Sequence, residues 1–330
     1  MEHSLTFLDS IRLDFNPASL HALNIALAIV MFGVALEIKP EHFKKLLSNP
    51  KSALVGVASQ FFLLPFLTFL LTLILHDYLS PTMALGMVLV AACPGGNISN
   101  FISSLSKGNI ALSVSLTAIS TMGAVIFTPL NFTLWGKLVL HFYHSHNASS
   151  LLPALEIDFF QMFKTVLLIL GIPIVLGIFT GQKFPVLTKK ILKPVKTFSI
   201  IIFTAIVIMA LAKNFDHFLT AIQYIFFIVL IHNALAFASG YFLASLLKLP
   251  HRDRKTISIE TGIQNSGLAL VLIFNPKIFP PDLQLGGMAV IAAWWGIWHI
   301  VSGIFMAGIW THFTFGIFSG KTVKIDNGIS

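Results

Sequence analysis

Apolar runs of about 20 residues or more recur along the chain, separated by short polar loops. That length fits membrane-spanning α-helices, whereas spanning strands would read as roughly 10-residue alternating segments. The pattern predicts nine helices, over residues 19–38, 52–76, 82–106, 110–136, 158–180, 191–213, 217–248, 254–276 and 284–316. Two of the nine carry polar islands. One is Pro94-Gly95-Gly96-Asn97-Ile98-Ser99-Asn100 in the third helix; the other runs from Thr256 through Glu260 to Gly267 in the eighth. A charge near a bilayer centre costs about 2.5–3.5 kcal/mol even on the lenient insertion scale, so Glu260 must face a cavity, ion or partner. Interrupted segments in corresponding halves point to the binding site of a secondary transporter.

Composition agrees with the periodicity. The 330 residues are 56% hydrophobic and 10% charged, with a mean hydropathy of +0.86, too little polar surface to cover a soluble globule. The single cysteine, Cys93, excludes a disulfide framework or a Cys-x-x-Cys site within one chain. Residues 1–18 read as an extramembrane N-terminal tail, because the first fifteen carry Glu2, Asp9 and Asp14 and no long apolar core.

Charge then orients the helices. If the loop Lys39–Lys51 is cytoplasmic, sixteen of the 21 Lys and Arg residues fall in cytoplasmic segments, as the positive-inside rule requires. The N-terminus is therefore expected outside and the C-terminal tail, 317–330, inside. The formal charge of +8 is a topology signal spread over separate loops, so no nucleic-acid partner is expected. A monomer in the bilayer is expected.

The halves resemble each other. Residues 19–136 supply four helices and 158–316 supply five, joined by an outer loop, 137–157, which suggests an inverted repeat of five whose first helix is missing. Within each island the chemistry is legible. Pro94 lacks an N–H and Gly95-Gly96 favours unwinding, so the helix should break there and free backbone groups. Asn97, Ser99 and Asn100 can cap the restarted helix, whose N-terminal amides favour an anion. Gly262 and Gly267 bracket Gln264-Asn265-Ser266, which can do the same from the other side. Hard cations need several oxygen ligands, and Glu260, Gln264, Ser99, Asn100, Ser113 and Thr117 supply them.

Four ordered motifs, Ala92-Cys93-Pro94-Gly95-Gly96-Asn97-Ile98-Ser99-Asn100, the segment Lys107–Thr117, Glu260–Ala269 and Trp298-His299, resemble the bile acid:sodium symporter family in its bacterial type. The resemblance covers roughly residues 20–316. It implies an all-α polytopic membrane protein with two crossing broken helices in a core domain, beside a panel domain. It also implies alternating access that couples two sodium ions to an organic anion, bile-acid-like or a small carboxylic acid such as pantoate or a keto acid. By motif position, Ser99, Asn100, Ser113, Thr117 and Glu260 would match a first sodium site. Gln60, Glu260 and Gln264, with backbone carbonyls near Thr261 and Ile263, would match a second. Asn97, Asn265, Ser266 and His299 would match substrate-facing positions. A multi-pass protein of the cell membrane, a bacterial inner membrane, is implied. Nine helices match the members that lack the first of ten, and Ile300 stands where an Asn often follows the Trp-His pair, which bears on substrate choice.

Other readings compete with these. Glu260 could pair with a loop lysine such as Lys255, and Ser113 and Thr117 could simply bond their own helix carbonyls. His299 and His232 could be satisfied core residues. His141, His144 and His146 read as a solvated loop, and Asn147-Ala148-Ser149 is a glycosylation sequon on the outer side. A channel or a non-transporting anion sensor would not need mixed anion and cation ligands in paired islands. No enzyme is expected, since the chain has no His-Glu-x-x-His, Gly-x-Ser-x-Gly or Cys-x-x-Cys. The nearest rival is a proton-coupled carrier with Glu260 as the titrating group.

Overall fold

The computed structural model describes residues 17–39, 41, 50–146, 157–212, 215–280 and 283–318. Most of the N-terminal tail, the Asn147 sequon, residues 147–156 of the outer loop and residues 319–330 of the C-terminal tail lie outside them. Among the described residues the architecture is helical, with one isolated bridge and no strand. The helices are α1 (Pro17–Ala35), α2 (Pro50–Ala58), α3 (Leu64–Ile74), α4 (Pro81–Ala92), α5 (Ile98–Leu105), α6 (Ile110–Ser145), α7 (Phe159–Val166), α8 (Ile172–Lys183), α9 (Pro185–Ala212), α10 (Phe215–Leu246), α11 (His251–Gly262), α12 (Ser266–Ile273) and α13 (Gly286–Phe318).

Single π turns, Ser59–Leu63 and Leu167–Gly171, join α2 to α3 and α7 to α8 without ending the helix. Among the described residues, five continuous helices are long and apolar enough to cross a bilayer: Pro50–Ile74, Ile110–Ser145, Phe159–Lys183, Ile225–Leu246 and Gly286–Thr311. Half or less of each span is buried. The exposed remainder includes Phe160, Leu246 and Phe242, each at least 70% exposed, an apolar surface suited to lipid rather than water.

The two islands break their helices as the sequence predicts. The expected span 82–106 is α4 and α5, and 254–276 is α11 and α12. Every residue of α4 and of α12 is buried, so these half-helices are apolar all round and occupy the centre. Helix α4 packs against α6 and α13, and α12 against α13. Two boundaries differ from expectation by more than a few residues: α9 begins at Pro185 rather than at 191, and α6 runs to Ser145 rather than to residue 136. Lys137, His141 and His144 thus lie on a helix that extends past its apolar part, because backbone hydrogen bonding propagates wherever nothing breaks it.

A polar clasp ties three elements at the end where α11 begins. Buried Asp253 accepts from Ser52 Oγ of α2 (2.6 Å) and from Asn109 Nδ2 (2.8 Å), while Asn109 caps α6 by accepting from the Leu112 N–H. Asn109 N–H donates to Thr256 Oγ1 at 2.7 Å. Lys107, at φ 56°, turns the chain into this contact.

Candidate ion and substrate site at the crossed helix breaks

The two breaks meet and pair with each other. Gly96 N–H donates to Ile263 O and Asn265 N–H donates to Pro94 O, both at 2.8 Å, which makes a one-bridge antiparallel crossing of Gly95 and Gln264. Proline at 94 and the break at Ile263 free these groups, and the partner break satisfies them. The restarted helices then begin side by side: α12 is capped by Asn265, whose side chain accepts from the Leu268 N–H, whereas Asn97 makes no side-chain cap and stays exposed.

Beside the crossing lies a buried cluster of oxygens. Glu260 Oε1 accepts from Ser99 Oγ (2.7 Å) and in a short bond from Ser113 Oγ, and Glu260 Oε2 accepts from Thr117 Oγ1 (3.1 Å). Asn100 Oδ1 lies 2.9 Å from Ser113 Oγ and 3.3 Å from Thr117 Oγ1. All five residues that motif position grouped are therefore together, drawn from α5, α6 and α11. Ser103 Oγ, 3.2 Å from Ser113 Oγ, joins them. Each hydroxyl has one proton, so the close oxygen pairs outnumber the donors. Thr117 also back-bonds to Ser113 O at 3.0 Å, so the local reading of that hydroxyl holds alongside the cluster.

Among the described residues no Lys, Arg or His forms an ion pair with Glu260. Lys255, the alternative partner, donates instead to Ser106 O at 3.2 Å. Arg252 and Arg254 are likewise taken up by backbone carbonyls, of Gly108 and Leu249. A buried carboxylate without a counter-charge in a surplus of lone pairs is chemically suited to a metal ion.

A second set surrounds Gly95. A Cβ built there would come within 2.9 Å of Gln60 Nε2 and 3.3 Å of Glu260 Oε2, so the glycine leaves a cradle between the two side chains. Gln60 sits in the π turn because α3 begins with Pro65 in its first turn, and Pro65 cannot donate to Phe61 O. Asn131 Nδ2 of α6 takes that carbonyl at 2.9 Å. Gln264 Nε2 donates to Thr261 O at 2.8 Å, and its Oε1 is buried without a partner, as is Gln60 Nε2. An orphaned buried amide oxygen at the helix break is a fit for a hard cation.

The remaining expected residues are less tightly gathered. Asn265 and buried Ser266 begin α12 at the crossing, and Asn97 begins α5. His299 is buried on α13 with Nδ1 unpartnered, and no hydrogen bond joins it to the cluster. His232 is buried, bonded through Nε2 to Thr68 Oγ1 at 2.8 Å. The sequence reading missed Ser103, and it missed Thr128, which donates to Ala92 O at the end of α4 (2.8 Å). Neither lies in an island, and both read as ordinary membrane hydroxyls.

Interrupted helices that cross at a buried carboxylate, inside a multi-pass all-α membrane protein, define the class of secondary transporters. The chain belongs to the sodium bile acid symporter family, whose model matches residues 24–221. That match spans the first break and ends before Glu260; similarity to individual relatives extends further. The chain is 32% identical over 292 residues to the "Uncharacterized sodium-dependent transporter YocS" of Bacillus subtilis (strain 168), covering 88% of this chain and 83% of that one. It is 32% identical to the "Probable sodium/metabolite cotransporter BASS2, chloroplastic" of Oryza sativa subsp. japonica, over 82% of this chain and 63% of the relative. To the "Sodium/bile acid cotransporter 4" of Mus musculus it is 31% identical, over 79% of this chain and 58% of that protein.

Proposed function

We propose that the chain is a sodium-coupled symporter of an organic anion, working by alternating access. The observation that carries this reading is the buried, uncompensated Glu260 carboxylate, held among more oxygens than protons at the point where two broken helices cross. In this reading Ser99, Asn100, Ser113, Thr117 and Glu260 hold one sodium ion. Gln60, Glu260, Gln264 and the carbonyls of Thr261 and Ile263 hold a second. Asn97, Asn265 and Ser266, with the N-terminal amides of α5 and α12, receive the substrate's carboxylate, and His299 lines the same path. Recognition relies on neutral dipoles, because Arg252, Arg254 and Lys255, the basic residues of α11, are engaged by backbone carbonyls. Sodium then completes a site that is otherwise short of positive charge, so each ligand raises the other's affinity by the same factor.

The nine spans, the split into core and panel domains and the outside N-terminus belong to the same reading. Four helices over 19–136 and five over 158–316 form the two repeats. The relatives' names support sodium as the coupling ion and a metabolite or bile acid as the class of cargo. A proton could neutralise Glu260 instead, but one proton needs one acceptor and would leave the surrounding oxygens without a task. Thermal stability of the purified protein, titrated with sodium against potassium at fixed pH, separates the two. Sodium-specific stabilisation is expected; stabilisation that follows pH and ignores sodium overturns the reading.

A further inference from the structure

The last four carbonyls of an α-helix have no intrahelical donor, and a helix that ends inside a membrane must find donors elsewhere. At the end of α11 nearly every such carbonyl has an identifiable donor. Ile259 O accepts from the Ile263 N–H and Thr261 O from Gln264 Nε2, and just past the helix Ile263 O accepts from Gly96 N–H of the other break. Gly262 O is different. Its donor is Asn233 Nδ2, at 2.8 Å, reaching across from α10. Asn233 is fully buried, and its Oδ1 accepts from Ser302 Oγ of α13 at 2.5 Å. The orientation of the amide is determined by this chemistry: a backbone carbonyl only accepts, so the NH2 must face Gly262 and the oxygen must face a hydroxyl that donates.

We propose that Asn233, braced by Ser302, is a positioning residue for the second cation site. The peptide group whose carbonyl it holds lies between Thr261 and Ile263, the two residues whose carbonyls would coordinate that ion. Rotation of this one peptide plane would redirect the backbone on both sides of it. Helix α10 packs closely on α11, and His232, the neighbour of Asn233, is itself tied to Thr68, so the donor stands on a fixed support. The first cluster, built from side chains of α5, α6 and Glu260, does not depend on the Gly262 carbonyl. The inference rests on the sodium reading above and deepens it, because it separates the two sites.

The test uses full-length protein in detergent and compares wild type with Asn233→Ala, Ser302→Ala and Ser302→Thr, reading thermal stability against sodium concentration. Loss of one buried hydrogen bond is expected to raise the half-saturating sodium concentration about tenfold in Asn233→Ala. The slope of its sodium curve should fall toward that of a single site. Ser302→Ala should shift in the same direction by a smaller factor, since the amide loses its brace but keeps its donor. Ser302→Thr, which retains the hydroxyl, should match wild type; this serine pair carries the test if Asn233→Ala does not fold. A merely structural role predicts a lower melting temperature without sodium and an unchanged sodium curve in every variant, and that result overturns the proposal. If wild type itself gains nothing from sodium, the underlying sodium reading fails, and this assignment falls with it.

Discussion

Replacing Glu260 with Gln keeps the shape of the side chain and removes its charge, so it isolates the electrostatic part of the site. At an effective dielectric of about 20, two unit charges 4 Å apart attract by about 4 kcal/mol, and a coordinated ion lies closer than that. Since about 1.4 kcal/mol is tenfold in affinity, the variant should bind sodium at least about a thousandfold more weakly. At a sodium concentration about 100 times the wild-type Kd, bound ion stabilises the native state by about 2.7 kcal/mol. In the variant the same concentration is about a tenth of Kd, and the stabilisation falls below about 0.1 kcal/mol. The hydroxyls of Ser99, Ser113 and Thr117 can still donate to the amide oxygen, so the fold should survive. Glu260→Ala should lose sodium dependence equally. The assay is thermal unfolding against sodium, with potassium as the control. A Glu260→Gln protein with the wild-type sodium curve would refute the assignment of the carboxylate to either site.

Thr117→Ala removes one oxygen from the first cluster at small packing cost and should weaken sodium binding while leaving sodium-free stability nearly intact; an unchanged sodium titration would return Thr117 to its bond with Ser113 O. Gly95→Ala places a methyl group 2.9 Å from Gln60 Nε2 and 3.3 Å from Glu260 Oε2. It should therefore block the second site and abolish coupled uptake, and normal uptake would show that the cradle beside Gly95 holds no ion. A cysteine introduced near Lys45 should react with an impermeant reagent only from the cytoplasmic side and one near Ser145 only from outside. The native Cys93 is buried and should give little background, and the reverse labelling would overturn the orientation. A neutral amide analogue of an identified acid substrate should bind weakly and gain little from sodium, whereas binding as tight as the acid's would shift recognition to apolar surface.

What could be read in advance follows the range of each interaction. Both helix breaks were legible because proline, paired glycines and a carboxylate inside an apolar run leave few structural alternatives. Their mutual pairing, Gly96 to Ile263 and Asn265 to Pro94, joins residues far apart in sequence and has no local signal. Gln60 could be placed only through resemblance to a family: Pro65 announces a disturbed turn, yet nothing nearby says that the turn is a π turn or that Asn131 takes the freed carbonyl. Ser103 was invisible because a serine on a short amphipathic helix reads the same whether it meets lipid, its own backbone or Ser113. The end of α6 was misjudged for a simpler reason. Polar residues from Lys137 onward mark the end of the apolar surface, and the helix continues beyond it to Ser145.

Uptake of labelled organic acids into proteoliposomes, with an inward sodium gradient compared against potassium and against a proton gradient alone, tests the central claim most directly. The account predicts accumulation of a carboxylate above its equilibrium level only when sodium flows inward, and no such accumulation by Glu260→Gln. Accumulation driven equally well by a proton gradient without sodium would contradict it.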